Sequence, residues 1–412
     1  MDKYLDFKDA VSLSLEIAEI TGIEEIVHIQ DSIGRILAQD ISCIKNLPSF
    51  NNSAMDGFAI KATDAGKKLK VVKTILAGED TVECLNENEC YKIMTGAKVP
   101  NDADTIIPIE DVVEYKNDEV TIKEKVVKNS CLRFKGEEKA LEDALFNKGE
   151  VFTSAMVAIL ASQGITMLSV YKKLKIAVVS TGNELKEPWE DASESEIYNC
   201  NSYAIISLLK EKGFDATYTN VVPDSLEKSI SFLDTLKNYD VIITTGGISM
   251  GDADFMAEAF ERNGLDIAFH GVNIKPGRPI MMGKMKKTFV MCLPGNPLTA
   301  MVNMHLFALP VLNKMQGSLS VFHDIDIAKN IKSFKTKAGR VNVVLGFYKN
   351  GEYRVTQDNK YGSGMITVLH VSNCILVTDE STASISEQES VKIIKFNCLY
   401  TKDKTDLFNL GK

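Results

Sequence analysis

The chain predicts a multidomain α/β and β protein: a central parallel α/β domain, a β domain inserted into a helical N-terminal domain, and a C-terminal β domain. Three observations carry this. Between residues 174 and 316, short apolar runs alternate with helical periodicity, as in a parallel sheet covered by helices. From 50 to 135, β-rich runs lie between turn residues with little helical periodicity. From about 320 helical periodicity disappears, and Lys349-Asn350-Gly351-Glu352 reads as a hairpin turn.

The elements follow in order. Leu5, Val11, Leu13, Leu15, Ile17, Ala18 and Ile20 among acids predict an amphipathic helix over 4–20, stopped by Gly22. Strands are expected at 70–75, 91–94, 105–109 and 119–127. Residues 137–170 read as helical again, with Thr153 as cap and Met156, Ile159 and Leu160 as the apolar stripe up to Gly164. The α/β region predicts strands at 175–180, 217–222, 241–245, 267–274, 279–282 and 288–293. Its helices are expected at 201–212, 225–236, 255–262 and 298–315. The last region predicts strands at 341–348, 353–356, 374–378 and 391–396. The domains are therefore 1–50 with 136–173, 51–135, 174–318 and 319–412.

Bulk properties narrow the function. The 412 residues exceed one ordinary core, and 45% hydrophobic with 25% charged residues is an ordinary globular composition. A net charge of −9 argues against a general nucleic-acid surface, so an anionic ligand needs locally placed Lys or Arg. No apolar run approaches a membrane span, and Met1-Asp2-Lys3-Tyr4-Leu5-Asp6 lacks a signal-peptide layout, so the cytoplasm is expected. Eight scattered cysteines without a CxxC pair, and five His, predict reduced thiols rather than a zinc site. The dispersed His suggest no Ser-His-Asp or Cys-His set, which leaves carboxylates, a hard metal ion and Lys/Arg for any chemistry.

Parallel sheets bind ligands at the carboxyl ends of their strands, and three loops lie there. Thr244-Thr245-Gly246-Gly247-Ile248-Ser249-Met250-Gly251-Asp252-Ala253-Asp254 is a Gly-rich turn followed by carboxylates. It reads as a phosphate cradle with Mg²⁺ between acid and anion, or equally as a βα turn with an acidic helix start. Ser180-Thr181-Gly182-Asn183-Glu184-Leu185 offers hydroxyls and one carboxylate. Leu293-Pro294-Gly295-Asn296-Pro297-Leu298-Thr299 opens a long helix whose free N–H groups suit an oxyanion, or is simply a stiff helix start. Ile274-Lys275-Pro276-Gly277-Arg278-Pro279 places two cations in a rigid turn. Asp56, before Gly57, and Glu138, in Phe134-Lys135-Gly136-Glu137-Glu138, read as turn acids or carboxylate sites.

Six motifs then occur in order. They are Asn52-Ser53-Ala54-Met55-Asp56-Gly57-Phe58-Ala59, Lys92-Ile93-Met94-Thr95-Gly96-Ala97, Ser180 to Leu185, Thr245 to Asp254, Lys275-Pro276-Gly277 and Leu293 to Pro297. Together they resemble the molybdopterin molybdenumtransferases, the MoeA family that includes the gephyrin E domain, over nearly the whole chain. The resemblance implies a molybdopterin-binding α/β domain, a C-terminal β-barrel and a homodimer with its active site at the subunit interface. It implies molybdenum cofactor biosynthesis in which adenylylated molybdopterin, molybdate and Mg²⁺ give Mo-molybdopterin and AMP. A molybdopterin adenylyltransferase and apo-molybdoenzymes are the implied partners.

Carried over by position, the implied catalytic set is Asp56, Glu184, Asp224, Asp254 and Lys275, with metal ligands Asp56, Glu138, Glu184 and Asp254. Substrate contacts are implied at Thr95, Ser180, Thr181, Gly182, Gly246, Gly247, Ser249, Gly251, Arg278, Pro294, Gly295, Asn296, Pro297, Thr299, Arg340 and Ser363. Three departures stand out. Asn183 replaces a common Asp, Glu138 replaces an Asp, and Gly271 stands where some members carry Lys, with Arg278 as a substitute charge. The competing readings are pterin adenylylation, on the shared α/β domain, and a dimeric scaffold without catalysis.

Overall fold

The computed structural model describes residues 4–80, 84–222, 225–248, 255–397, 400–401 and 404. By its internal contacts the chain divides into two units, 39–148 with 154–167, and 1–38 with 149–153 and 168–412.

The larger unit begins with α1 (Phe7–Glu16), capped by Asp6, whose carboxylate accepts from the Lys8 N–H at 2.8 Å. It is shorter than the expected 4–20. Ile17 already closes it, so Gly22 plays no part in its end.

In the smaller unit, β1 (Gly57–Ile60), β2 (Lys68–Ile75), β3 (Glu89–Ile93), β4 (Thr105–Pro108), β5 (Glu114–Lys116) and β6 (Glu119–Thr121) form one sheet. Its order is β4-β1-β3-β2-β6-β5, antiparallel except for β2 with β3. Two apolar clusters cover its faces, one around Ala59, Ile75 and Ile93, the other around Phe58, Ile60 and Leu69. The expected helicity of 137–152 is wrong. That stretch is turns and a short strand, Ala144–Phe146, paired with Ile41–Ser42, and only α2 (Ser154–Gln163) is helical. Gly136 and Gly149, both at positive φ, break any helical run there.

The α/β layer of the larger unit holds β7 (Ile176–Thr181), α3 (Asn201–Glu211), β8 (Ala216–Val222), α4 (Leu226–Thr235), β9 (Val241–Thr245) and α5 (Phe255–Arg262). β10 (Leu265–His270), β11 (Met281–Met285) and β12 (Thr288–Leu293) complete the sheet. Strand order is β8-β7-β9-β12-β11-β10. The first four strands are parallel, as expected. However, β11 runs antiparallel to both neighbours, because its link to β12 is the two-residue turn Lys286-Lys287 and a parallel crossover needs far more chain. Side chains alternate between faces as strand geometry demands. Ile176, Val178 and Ile243 pack with α1 and α3, while Ala177, Val179 and Ile242 pack under α4 and α5. The expected helix 298–315 is observed as α6 (Pro297–Asn303) and α7 (Leu309–Met315) joined by a π-turn, Met304–Ala308. Pro310 has no N–H for the Leu306 carbonyl, and the wider turn accommodates it.

Five strands of the last region build its main sheet: β13 (Asp326–Asn330), β14 (Val341–Lys349), β15 (Glu352–Val355), β16 (Cys374–Val377) and β17 (Ser390–Lys395). Their order β14-β15-β13-β17-β16, with β16 returning to β14, closes a barrel. Asn350 and Gly351 both take positive φ in the β14–β15 turn. Val341, Val343 and Ile375 of the barrel share one apolar cluster with α6 and α7, so barrel and α/β layer form a continuous core. The fold class is therefore the one expected, α/β and β with a C-terminal barrel. No disulfide joins two of the seven described cysteines.

Candidate active site

The carboxyl ends of β7, β9 and β12 open on a pocket of about 480 Å³. Thr181, Gly182 and Glu184 come from the first strand end, Gly246 and Gly247 from the second, and Pro294 to Pro297 from the third. Gly246 and Gly247 have φ of 89° and 64°. A Cβ on Gly246 would stand 2.6 Å from the Thr181 carbonyl oxygen, and one on Gly247 2.6 Å from Thr181 Oγ1. Both the left-handed backbone and the lack of room require glycine. Asn201, at the start of α3, laces the turns together, its Nδ2 donating to Thr245 Oγ1 and to the Gly295 carbonyl, each at 2.7 Å. The Gly246 N–H donates to the Leu293 carbonyl at 3.1 Å.

The polar groups divide into those engaged and those left over. Ser180 is buried, and its Oγ donates to Asn199 Oδ1 at 3.0 Å while bonding Ser202 Oγ, so it braces the wall. Thr181 Oγ1 is buried at the wall with no partner among the described residues, a hydroxyl available to a ligand. Glu184 is exposed and pairs with no cation among the described residues. Among the described residues no Lys or Arg lines this pocket.

Next to it, sharing Pro279, Pro294 and Asn296, lies a second pocket of about 620 Å³. The Lys275-to-Pro279 turn and the start of α6 form one side, and barrel residues 335–344 and 359–363 the other. Among the described residues its lining carries Lys275, Arg278, Lys335, Lys337 and Arg340 and not one carboxylate. The buried Asn342 shapes the basic turn by donating to the carbonyls of Lys337 at 3.0 Å and Arg340 at 3.1 Å. Arg340 Nε is buried without a hydrogen-bond partner among the described residues. A buried N–H without a partner is unfavourable, and an arriving anion would relieve it.

The remaining expected residues fall around this pocket. Arg278 sets its guanidinium 4.5 Å from the Tyr4 ring centroid, a cation–π contact, while still lining the pocket. Gly271 is occupied territory, since a Cβ there would meet the same Tyr4 ring at 2.7 Å, and this chain has no room for the lysine of other members. Asn296 Nδ2 donates to Ser363 Oγ at 3.1 Å and so joins the two pockets. Thr299 Oγ1 donates to the Asn296 carbonyl at 2.7 Å. Gln357, Asp358 and Asn359 take consecutive positive φ of 45°, 53° and 60°, just before the pocket-lining Tyr361 to Ser363. Such strain costs about 1–2 kcal/mol per residue and is typical of ligand-facing loops.

In the smaller unit, Asp56 accepts from both the N–H and Oγ1 of Thr95, each at 2.7 Å. Those two bonds hold its carboxyl below the usual carboxylate range. Thr95 is thus the clamp of an acid. Glu138 is exposed, its N–H donating to the Leu47 carbonyl at 3.1 Å. Asp224, Ser249, Gly251 and Asp254 lie outside the described residues. Among the described residues no three His, Cys, Asp or Glu side chains form a metal-holding group.

Residues 5–164 match the MoeA N-terminal region (domain I and II), 177–314 a probable molybdopterin binding domain, and 328–396 the MoeA C-terminal region (domain IV). The molybdopterin molybdenumtransferase of Haemophilus influenzae is 32% identical over 384 residues, spanning 91% of this chain and 94% of that protein. The chain belongs to the molybdopterin molybdenumtransferase family. It is a transferase of molybdenum cofactor biosynthesis. The molybdopterin molybdenumtransferase of Staphylococcus aureus is 29% identical, over 89% of this chain and 90% of that one. The crystal structure of the molybdopterin biosynthesis MoeA protein from Pyrococcus horikoshii superposes with a TM-score of 0.83 at 28% identity, covering 97% of this chain and 100% of that one.

Within this transferase, sequence reasoning missed Lys335, Lys337, Asn342 and Asn359 of the basic pocket, and Asn199 and Asn201 of the strand-end pocket. The run Lys335-Thr336-Lys337-Ala338-Gly339-Arg340 was the available signal. Three cations within six residues of an acidic chain mark a local anion site.

Proposed function

We propose that the chain inserts molybdenum from molybdate into adenylylated molybdopterin, releasing AMP, in a Mg²⁺-dependent reaction. The observation that carries this is the pair of adjoining pockets, one basic and without a carboxylate among its described lining residues, the other built of glycine turns and a helix start. Molybdate is a tetrahedral dianion, and the pterin partner carries phosphate. Bringing them together requires cancelling like charge. Lys275, Arg278 and Arg340 do so on the oxyanion side, and the orphaned Arg340 Nε supplies a directed donor. The Gly247 turn and the start of α6 lie on the phosphate side, the Gly246 N–H being already engaged by the Leu293 carbonyl.

Mg²⁺ suits hard carboxylate oxygens, and the exposed, cation-free Glu184 is such a donor at the pocket. Asp254, Asp56 and Glu138 complete the proposed metal set, and Asp224 joins the catalytic acids. Bound there, the ion would neutralise developing phosphate charge. The two dithiolene thiols would then bind molybdenum in place of a molybdate oxygen, which leaves as water with the two thiol protons, while a water molecule cleaves the phosphoanhydride bond and releases AMP. Further parts of the reading are a four-domain division at 50, 135, 173 and 318, a homodimer with the site at the subunit interface, and a cytoplasmic setting. An adenylyltransferase would donate the pterin, and apo-molybdoenzymes would receive the product. No helix among the described residues is long and apolar enough to cross a membrane.

The test follows AMP release from adenylylated molybdopterin and Mg²⁺, with and without molybdate. Molybdate-dependent release is expected. ATP consumption in place of AMP release would favour adenylylation. Bound pterin with no release under molybdate or tungstate would favour a scaffold.

A further inference from the structure

Behind the strand-end pocket stands a carboxylate that belongs to none of the motifs above. Glu187 accepts from Tyr203 Oη at 2.7 Å and from Tyr218 Oη, and Asn199 Nδ2 donates to it at 3.4 Å. The same Nδ2 donates to Tyr218 Oη at 2.9 Å. Both amide hydrogens of Asn199 are therefore directed at the Glu187–Tyr218 pair. Its Oδ1 must then face the opposite way, where it accepts from Ser180 Oγ at 3.0 Å and from the Ser202 N–H at 3.3 Å. Turned over, the amide would set its NH₂ against the Ser202 N–H, donor to donor. The carboxylate on one side and the Ser202 N–H on the other together select the orientation. Asn199 and Ser180 are both buried and line the pocket.

The two phenols remain donors at any working pH. Burial, then the Glu187 carboxylate, pushes Tyr203 up to about 12 and Tyr218 higher still. Trp189, the only tryptophan of the chain and 74% exposed, sets its ring edge-on to Tyr203 with centroids 6.5 Å apart. The network thus runs from the surface to the strand end.

We propose that Glu187 is a positioning residue for the strand-end pocket: with Tyr203 and Tyr218 it orients Asn199, and through Asn199 it fixes the Ser180 end of β7 and the pocket wall. The identity of the ligand so served, the phosphate-bearing pterin nucleotide, rests on the transferase reading above. Glu187 touches no reacting atom, so its contribution lies in binding rather than in the chemical step.

The experiment uses the full chain and steady-state AMP release with adenylylated molybdopterin and molybdate varied separately. Glu187→Leu should raise KM for the pterin roughly tenfold, the value of one good hydrogen bond, with kcat and the molybdate KM each within about twofold. Glu187→Gln should recover most of the loss, since an amide can accept from one tyrosine and donate to the other. A partly unfolded preparation would lower kcat and move neither KM. An unchanged pterin KM, or an equal rise in both KM values, overturns the proposal. If Glu187→Leu does not fold, the Tyr203→Phe/Tyr218→Phe double variant keeps the carboxylate and should show the same selective rise. Failure of the transferase reading would appear separately, as wild type without molybdate-dependent release. AMP titration followed by Trp189 emission then decides the inference, with roughly tenfold weaker AMP binding expected in Glu187→Leu and equal affinity contradicting it.

Discussion

The two pockets meet at Pro279, Pro294 and Asn296 yet hold charge by opposite means. The strand-end pocket lies wholly within the α/β layer. Its glycine turns present backbone to the pocket, and the one carboxylate among its described lining residues is Glu184. The basic pocket straddles the α/β layer and the barrel and relies on five mobile-ended cations, Lys275, Arg278, Lys335, Lys337 and Arg340. Backbone donors are fixed by the fold, whereas Lys and Arg charges depend on the junction that brings two layers together. The difference teaches where each kind of perturbation should register.

The largest effect should come from removing a cation. Arg340→Ala or Lys275→Ala is expected to lower molybdate-dependent AMP release about 100-fold, chiefly through molybdate KM. AMP affinity should stay within about twofold, and a matching fall in AMP affinity would merge the two pockets into one. Gly247→Val attacks the other side, because its side chain would collide with Thr181 Oγ1. It should weaken AMP at least tenfold and cost about 1–3 kcal/mol of stability by thermal unfolding, with molybdate binding retained.

Acid should separate the pockets as well. His305, stacked on Phe396 with centroids 4.9 Å apart, sits beneath the barrel junction, and burial depresses it from 6.5 to about 3. The unfolded chain binds that proton from pH 6.5 downward while the folded chain refuses it until about 3. The stabilisation is therefore complete above 6.5 and is lost as pH falls toward 3, at about 1.4 kcal/mol per pH unit. Unfolding midpoints between pH 6.5 and 5 should fall less in His305→Phe than in wild type, and molybdate affinity should fade before AMP affinity. A smaller shift concerns Asp56. Thr95→Val removes one of the two bonds that lower its carboxyl, so the acid limb of the pH–rate profile should move to higher pH. A limb that stays in place would release Asp56 from the titrating set. Smallest of all, raising salt from 0.05 to 0.5 M should weaken molybdate a few-fold and AMP hardly at all.

Much of this was legible in the chain. The β9 and β12 runs were bounded to the residue, because fully buried parallel strands are short apolar blocks ending in Thr-Gly or Pro-Gly punctuation. The loops carrying Thr181, Gly246 and Pro294 were recognisable as strand-end loops, and the structure gathers them. Residues 137–152 were misread because mixed Glu, Lys, Leu and Ala mimic helix composition, while Gly136 and Gly149 impose turns. Lys335 and Lys337 were missed because they lie between strands, where no periodicity directs attention. The Glu187 network was invisible for another reason: its partners stand 12 to 31 residues apart in sequence, and only packing of α3 against β8 and β7 assembles them.

The separation of the pockets is tested most directly by calorimetric titration of the Lys335→Ala/Lys337→Ala variant and wild type with molybdate and, separately, with AMP. Both lysines line the basic pocket and neither lines the strand-end pocket. Molybdate affinity is expected to fall at least tenfold while AMP affinity stays unchanged. Equal losses for both ligands, or none for either, would contradict the division of charge between the two pockets.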